Sequence, residues 1–355
     1  MNHKFPYRWT LKDANFTKDK GKVFSCFACG GGSTMGYKLA GYDVIGCNEI
    51  DPRMMYAYCQ NHNPRFPFLE PIQDFKNRED LPPELFKLDI LDGSPPCSSF
   101  STAGSREDGW GKKKKFREGQ AEQVLDTLFF DFIELAARLQ PKVVVAENVK
   151  GLLLGEAKAY VGRIYQEFEE AGYYVQHWLL DGSTMGVPQR RERVFFVCLR
   201  KDLIDKVPTE CNLFDVMPRL VLGFKEAPIL MRELTDYSGR EITSKIIRTL
   251  WDNRQPGDIN QAVANERLFG KGSNFGQSYV YQDKVCPTLT GKDTSLIHFD
   301  QPRNLGTTEV CSVSTFPQDY NFAGQSPHYV CGMSVPPVMM AQVASAIWEQ
   351  WLSKF

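Results

Sequence analysis

The sequence predicts an α/β fold with a parallel, open sheet over roughly residues 1–200, followed by a second, smaller domain. Three observations carry this. Strand-length apolar runs alternate with helix-period segments from Val23 to Leu199. The first of those runs ends in a glycine cluster, Gly30, Gly31, Gly32 and Gly36, that opens a helix. After about residue 200 the alternation gives way to irregular sequence rich in Gly, Pro, Asn and Asp.

Taken in order, residues 1–21 are polar and aperiodic and are expected to form an arm over the surface. Val23 to Phe27 is a first buried strand, and a helix starts near Met35. Strand, glycine-rich turn and helix is the arrangement that brings backbone close to a nucleotide-like ligand. Tyr42 to Asp51 is a second strand ending in Glu49, whose carboxylate suits two ribose hydroxyls because it accepts both protons. Residues 52–63 are helical, and Asp74 closes a third strand. Leu88 to Leu91 is a fourth strand, and Gly93, Pro95 and Pro96 then force the chain out of the sheet immediately before Cys97. Ligands bind at this edge of open α/β sheets. A cysteine there is placed to act as a nucleophile once its pKa is lowered; the alternative is a small buried hydrophobe.

Residues 102–118 form a polar loop holding Lys112, Lys113, Lys114 and Lys115, either a solvated face or a basic segment able to close over phosphates. Gln120 to Leu139 has helical spacing, Pro141 ends it, and Val143 to Ala146 is a fifth strand running into Glu147. A helix at 157–171 and strands at 173–180 and 193–199 follow. A last apolar helix, from about Pro336 to Leu352, is expected to return to the first domain.

With a net charge of -1 there is no global basic signature, so a nucleic-acid partner would need a local basic face. No apolar run long enough to span a bilayer and no signal peptide is found. The ten cysteines are scattered through apolar segments, which argues for reduced thiols in the cytosol. No spacing suggests a metal site; Cys26 and Cys29 lack a second pair.

The motifs together resemble, over nearly the whole length and in the family's order, the cytosine-C5 DNA methyltransferases. Phe27-Ala-Cys-Gly-Gly-Gly-Ser-Thr-Met-Gly36 resembles the first glycine motif, Asn48-Glu-Ile-Asp51 the ribose-binding acid, and Asp74 the adenine-contacting acid. Pro95-Pro-Cys-Ser-Ser-Phe-Ser101 resembles the catalytic Pro-Cys loop, and Thr127-Leu-Phe-Phe-Asp131 the cofactor-side helix. Glu147-Asn-Val149, Gln189-Arg-Arg-Glu-Arg193, Arg303-Asn-Leu-Gly-Thr-Thr-Glu309 with Phe316-Pro317, and Gly332-Met-Ser-Val-Pro-Pro337 resemble the remaining motifs. The chain departs from the family at Ser25 (usually Asp), Cys29 (usually the first glycine), Met333 (usually Asn) and Gly306 (usually Thr or Ser).

The resemblance implies a Rossmann-like, S-adenosylmethionine-dependent methyltransferase fold. It implies a catalytic domain over 1–200, a target-recognition domain over 201–302, and a return segment over 303–355. Cys97 would add to cytosine C6, Glu147 would hydrogen-bond N3 and Arg193 would bind O2, with Arg191 counted in the same catalytic set as a candidate to hold the distorted backbone. Phe27, Gly31, Gly32, Glu49, Ile50, Asp74, Phe75, Pro96, Leu128, Ser334 and Val335 would line the S-adenosylmethionine site. Ser101, Gln189 and Lys112 to Lys115 would touch duplex DNA, whose target cytosine must leave the stack. The expected setting is the cytoplasm of a bacterial or phage-infected cell, with no metal, no membrane, and a cognate restriction endonuclease as a candidate partner. Two alternatives stay open: an RNA (transfer RNA) cytosine-C5 methyltransferase and a non-catalytic DNA-binding regulatory subunit. An oxidoreductase of the NAD type fits poorly, because Gly30-Gly-Gly32 followed by Gly36 is not its turn.

Overall fold

The computed structural model describes residues 3–96, 127–155, 157–211, 216–270 and 276–355, together with the backbone of two short strands, Lys113–Lys114 and Gln123–Val124. It divides into two compact units. One, the sheet unit, comprises Asn15–Leu180, Glu192–Gly223 and Met340–Phe355; the other, the second unit, comprises Met1–Ala14, Asp181–Arg191 and Phe224–Met339.

The sheet unit is built on seven strands: β1 Lys22–Cys26, β2 Asp43–Glu49, β3 Phe66–Leu69, β4 Ile90–Gly93, β5 Val143–Val149, β6 Tyr173–Asp181 and β7 Glu192–Arg200. Their order across the sheet is β3-β2-β1-β4-β5-β7-β6. β1 to β5 pair in parallel, whereas β7 runs antiparallel to β5. This is the Rossmann-like methyltransferase arrangement expected. The central strands are near-continuous apolar runs because helices cover both faces of a parallel sheet. Phe24, Phe75, Phe129, Phe132 and Phe196 meet in one core cluster, Phe24 and Phe75 stacking at 5.3 Å.

Helices α1 Gly32–Leu39, α2 Pro52–His62, α4 Leu128–Leu139 and α5 Ala157–Glu170 connect the strands. Helix α2 starts where Asp51 caps it, its carboxylate accepting from Arg53 N and Met54 N with Pro52 in the first turn. Helix α4 stops at Gln140, which takes a left-handed conformation just before Pro141. Gly93 at the end of β4 is a packing requirement, since a Cβ there would lie 2.6 Å from the Phe132 ring.

Asp74 does not close a strand. The third strand is over at Leu69, and Asp74 sits exposed on a four-residue helix, α3 Ile72–Phe75, that follows Pro71.

The second unit contains α6 Lys245–Asp252, α7 Gln261–Phe269, α8 Thr307–Val313, α9 Pro327–Met333 and a parallel pair, Ser278–Val280 with Leu296–His298. Trp251, Tyr279 and Ile297 form its local core. The N-terminal segment is not merely laid over a surface: Arg8 donates to Leu234 O at 2.7 Å and the Trp9 indole to Thr315 O at 2.9 Å, both inside this unit. The expected boundaries at 201 and 303 and the observed division therefore differ. Residues 201–223 pack with the sheet unit, while the N-terminal segment and 303–339 pack with the second unit. Contacts between segments distant in sequence decide this, and composition does not display them.

One stretch, Pro327–Lys354, is long and apolar enough to cross a membrane, contrary to expectation. Its most apolar 18 residues are 94% buried in the protein, and the stretch is interrupted at the extended Ser334, between α9 and α10 Pro337–Gln350, so it is core.

Candidate active site

The carboxyl ends of β1, β2, β4 and β5 share one edge of the sheet unit, and the expected functional residues lie along it. After Cys26 the backbone turns through three left-handed residues: Phe27 (φ 54°), Cys29 (φ 47°) and Gly31 (φ 78°). Two of these are not glycine, so the loop holds conformations that cost roughly 1–2 kcal/mol each. The turn is held by Ala28 N to Asn48 O at 3.2 Å and Gly31 N to Ala28 O at 2.8 Å. A Cβ on Gly31 would lie 2.2 Å from His62 Nε2, so His62, at the end of α2, is the floor of the loop. Burial and then the nearby Lys38 ammonium hold His62 well below its ordinary pKa, as a neutral imidazole.

Glu49 ends β2. Its Oε2 accepts from Cys29 N at 2.7 Å, and its Oε1 from Ile50 N and Asp51 N at 2.9 Å. The carboxyl thus ties the glycine loop to the second strand. Burial raises its pKa, while these three donors act in the opposite direction. Two oxygens offer about four acceptor positions, so room remains for a ligand hydroxyl. Phe27 and Ile50 are half-buried beside it.

Glu147 on β5 and Arg193 on β7 form the ion pair of the site. The register sets Glu147 opposite Phe195 and Val149 opposite Arg193, so the two charged residues are diagonal neighbours on one face. Arg193 Nε donates to Glu147 Oε1 at 2.8 Å, and the side chains are only 15% and 9% exposed. Burial lowers the guanidinium's pKa and Glu147 opposes that shift; arginine remains a cation throughout. Asn148, which the sequence motif contains but whose role was not foreseen, donates from Nδ2 to Pro95 O at 3.1 Å. The turn that leads to Cys97 is thereby fastened to the strand carrying Glu147. Cys97, Ser101, Lys112 and Lys115 lie outside the described residues, and of Lys113 and Lys114 only the backbone is described.

The decisive comparison is with known families. Residues 21–349 match the model of the C-5 cytosine-specific DNA methylases. The chain belongs to this family. It is accordingly an enzyme of the DNA (cytosine-5-)-methyltransferase class. The Type II methyltransferase M.FnuDI of Fusobacterium nucleatum is 40% identical over 51% of this chain and 48% of its own, so this chain spans about half of that relative. The Type II methyltransferase M1.HphI of Haemophilus parahaemolyticus is 27% identical over 90% of this chain and 85% of its own. Among solved structures, a variant of Spodoptera frugiperda DNMT2 superposes with a TM-score of 0.62 at 16% identity, covering 92% of this chain and 99% of that one; this likeness shows the fold.

Several expected site residues of this methylase are placed otherwise than foreseen. Arg191 is buried in the second unit, where its guanidinium donates to Leu289 O at 3.0 Å, Gly332 O at 2.8 Å and Ser334 O at 3.0 Å. Those contacts tie backbone segments of the second unit together. Gln189 is also buried there, accepting from Leu289 N at 3.0 Å and donating to Val313 O at 3.3 Å, so its side chain is engaged with backbone of the second unit. The reason is local: the chain passes from the second unit to the sheet unit between Arg191 and Glu192. Phe75 and Leu128 are fully buried in the core of the sheet unit. Pro96 is half-buried at the turn and Gly32 opens α1. Ser334 and Val335 are buried in the second unit, and Ser334 Oγ has no hydrogen-bond partner among the described residues. No cluster of three or more His, Cys, Asp or Glu able to hold a metal occurs among the described residues.

Proposed function

We propose that this methylase transfers a methyl group from S-adenosylmethionine to C5 of a cytosine turned out of duplex DNA, through a covalent adduct of Cys97 with C6. The observation that carries the reading is the buried Glu147–Arg193 pair beside the Asn148-anchored Pro95-Pro96 turn. It sits on the same edge of one unit as the glycine loop and Glu49.

The donor set suits the cofactor. Glu49 is an acceptor at the end of β2, Phe27 and Ile50 offer half-buried apolar surface, and Asp74 is an exposed acid beyond β3. When bound there, S-adenosylmethionine supplies an electrophilic methyl group. Cytosine C5 is too weak a nucleophile unaided, and the protein's residues correct this. The Cys97 thiolate adds to C6, pushing the ring electrons toward C5, N3 and O2. Glu147 hydrogen-bonds N3 through a proton shared with the ring, and Arg193 meets the charge growing at O2. After C5 is methylated, a base, most simply water, removes its proton and the thiolate is expelled from C6. Rotating the base out of the stack costs a few kcal/mol. Lys112 to Lys115 are suited to neutralise backbone phosphates there. The part of the second unit between about residues 224 and 302 is the candidate reader of the target sequence. A cognate restriction endonuclease in a bacterial cytoplasm fits relatives named as Type II methyltransferases.

The test compares label transfer from S-adenosylmethionine to duplex DNA and to transfer RNA, for the wild type and Cys97→Ser. Duplex methylation at C5 that Cys97→Ser abolishes is expected. Transfer to RNA alone would replace the substrate, no transfer to either would favour a non-catalytic subunit, and a Ser variant within about tenfold of wild type would remove Cys97 as nucleophile.

A further inference from the structure

Asp92 lies on β4, five residues before Cys97, and is 1% exposed. Hydroxyls converge on it from two other elements. Ser25, its register partner on β1, donates to Oδ2 at 2.8 Å. Tyr37 on α1 donates to Oδ1 at 3.3 Å. Ser33, in the first turn of α1, contributes a further side-chain hydrogen bond. No cation pairs with it among the described residues. The titratable groups facing it are Cys26 on β1, Tyr37 on α1, Tyr58 on α2 and Glu147 on β5, and none of them brings positive charge. A buried carboxyl without a countercharge is a costly choice for mere packing.

We propose that Asp92 is a positioning residue for methyl transfer: its ionised carboxylate gathers three hydroxyls and so fixes the glycine loop and α1 against the strand that delivers Pro95, Pro96 and Cys97. The proposal rests on the reading of the active site given above. The ionised form accepts from all three hydroxyls through charge-assisted bonds. The protonated form must donate a proton itself, so one hydroxyl loses its acceptor and turns. Burial, with Glu147 adding to it, raises the carboxyl to about 7. The positioning therefore relaxes as the solution is acidified through neutrality.

The experiment measures kcat and KM on duplex DNA across neutral pH for wild type, Asp92→Asn, and the exchange Ser25→Asp with Asp92→Ser. Calorimetric affinity for S-adenosylmethionine is measured alongside. Asp92→Asn is expected to lower kcat by about tenfold to a hundredfold, as a displaced reacting group does. KM should change by less than about threefold, and the component of the acid limb that Asp92 contributes near pH 7 should be lost, leaving the limb set by the nucleophile's own ionisation. The exchange returns a carboxylate to the same cross-strand pair and should restore kcat to within about threefold of wild type. An Asn variant with wild-type kcat and an unchanged limb overturns the proposal, as does an exchange variant that folds yet remains as slow as Asp92→Asn. A wild type that binds the cofactor but transfers no methyl group overturns the functional reading instead. In that case the affinity arm judges Asp92: a neutral-pH dependence present in wild type and absent in Asp92→Asn sustains it, and identical profiles refute it.

Discussion

Replacing Asp92 by Asn should make the folded protein more stable at neutral and alkaline pH, even where it slows the reaction. The unfolded carboxyl ionises at its ordinary value near 3.8, whereas burial delays ionisation in the fold to about 7. Below the lower value both states hold the proton and the group is neutral toward folding. Between the two values the unfolded chain releases a proton that the folded chain retains, and each pH unit removes about 1.4 kcal/mol of stability. Above the upper value the loss is complete, at roughly 4 kcal/mol as an upper figure. Asn has no proton to lose and keeps a carbonyl acceptor for Ser25 or Tyr37. The stability difference between Asn variant and wild type should therefore grow by roughly 2–3 kcal/mol from about pH 5 to above about pH 7. Denaturant titrations of the two proteins at each pH measure this, and taking the difference cancels every other titrating group. A difference that is flat with pH refutes both the late ionisation and the absence of a countercharge.

Glu147→Gln keeps the side chain's shape but cannot hand a proton to N3, so kcat should fall by about a hundredfold or more while cofactor affinity stays within about threefold; single-turnover methylation and calorimetry check the two halves. Arg191→Met should destabilise the second unit by roughly 3–5 kcal/mol, because three buried carbonyls lose their donor. Its exposed neighbour Arg190 is the control, and thermal melts that spare Arg191→Met while turnover collapses would return it to a catalytic role. Gly31→Ala combines a left-handed φ with a 2.2 Å approach to His62, so a loss of roughly 2–5 kcal/mol is expected; a variant with unaltered melting and S-adenosylmethionine affinity contradicts the loop geometry.

The strand–helix alternation, the glycine turn, Glu49 and Glu147 were legible because each follows from local pattern: apolar runs, glycine at a strand end, an acid where a strand stops. What escaped depended on contacts that local pattern does not display. The apolar run before Asp74 reads as a continuous strand, yet Pro71 starts a helical turn there. Gln189 and Arg191 share one motif with Arg193, so local pattern groups the three together. Their side chains instead satisfy buried carbonyls and amides of the second unit. Asp92 is inconspicuous in the sequence, since an acid near a strand end is ordinary until the fold places Ser25, Ser33 and Tyr37 around it. The N-terminal segment looked aperiodic because it is held by single side chains, Arg8 and Trp9, and not by a repeating face.

The antiparallel strand explains why one motif serves two ends. Parallel strands place their carboxyl ends, and hence Cys26, Glu49, Gly93 and Glu147, on a single edge. A cation reaching Glu147 from another strand of that sheet must stand at the same edge. A further parallel strand would present its carboxyl end there, already turning into a loop. β7 runs the other way, so its first residues lie at that edge and Arg193 enters the sheet directly opposite Val149, one diagonal from Glu147. Glu192, the first residue of β7, is exposed and pairs with Lys150 at 2.9 Å. Arg191 precedes the strand and belongs to the other unit. In Gln189-Arg-Arg-Glu-Arg193 the charge that meets Glu147 is thus the last one, and the reversed direction of β7 is what brings it there.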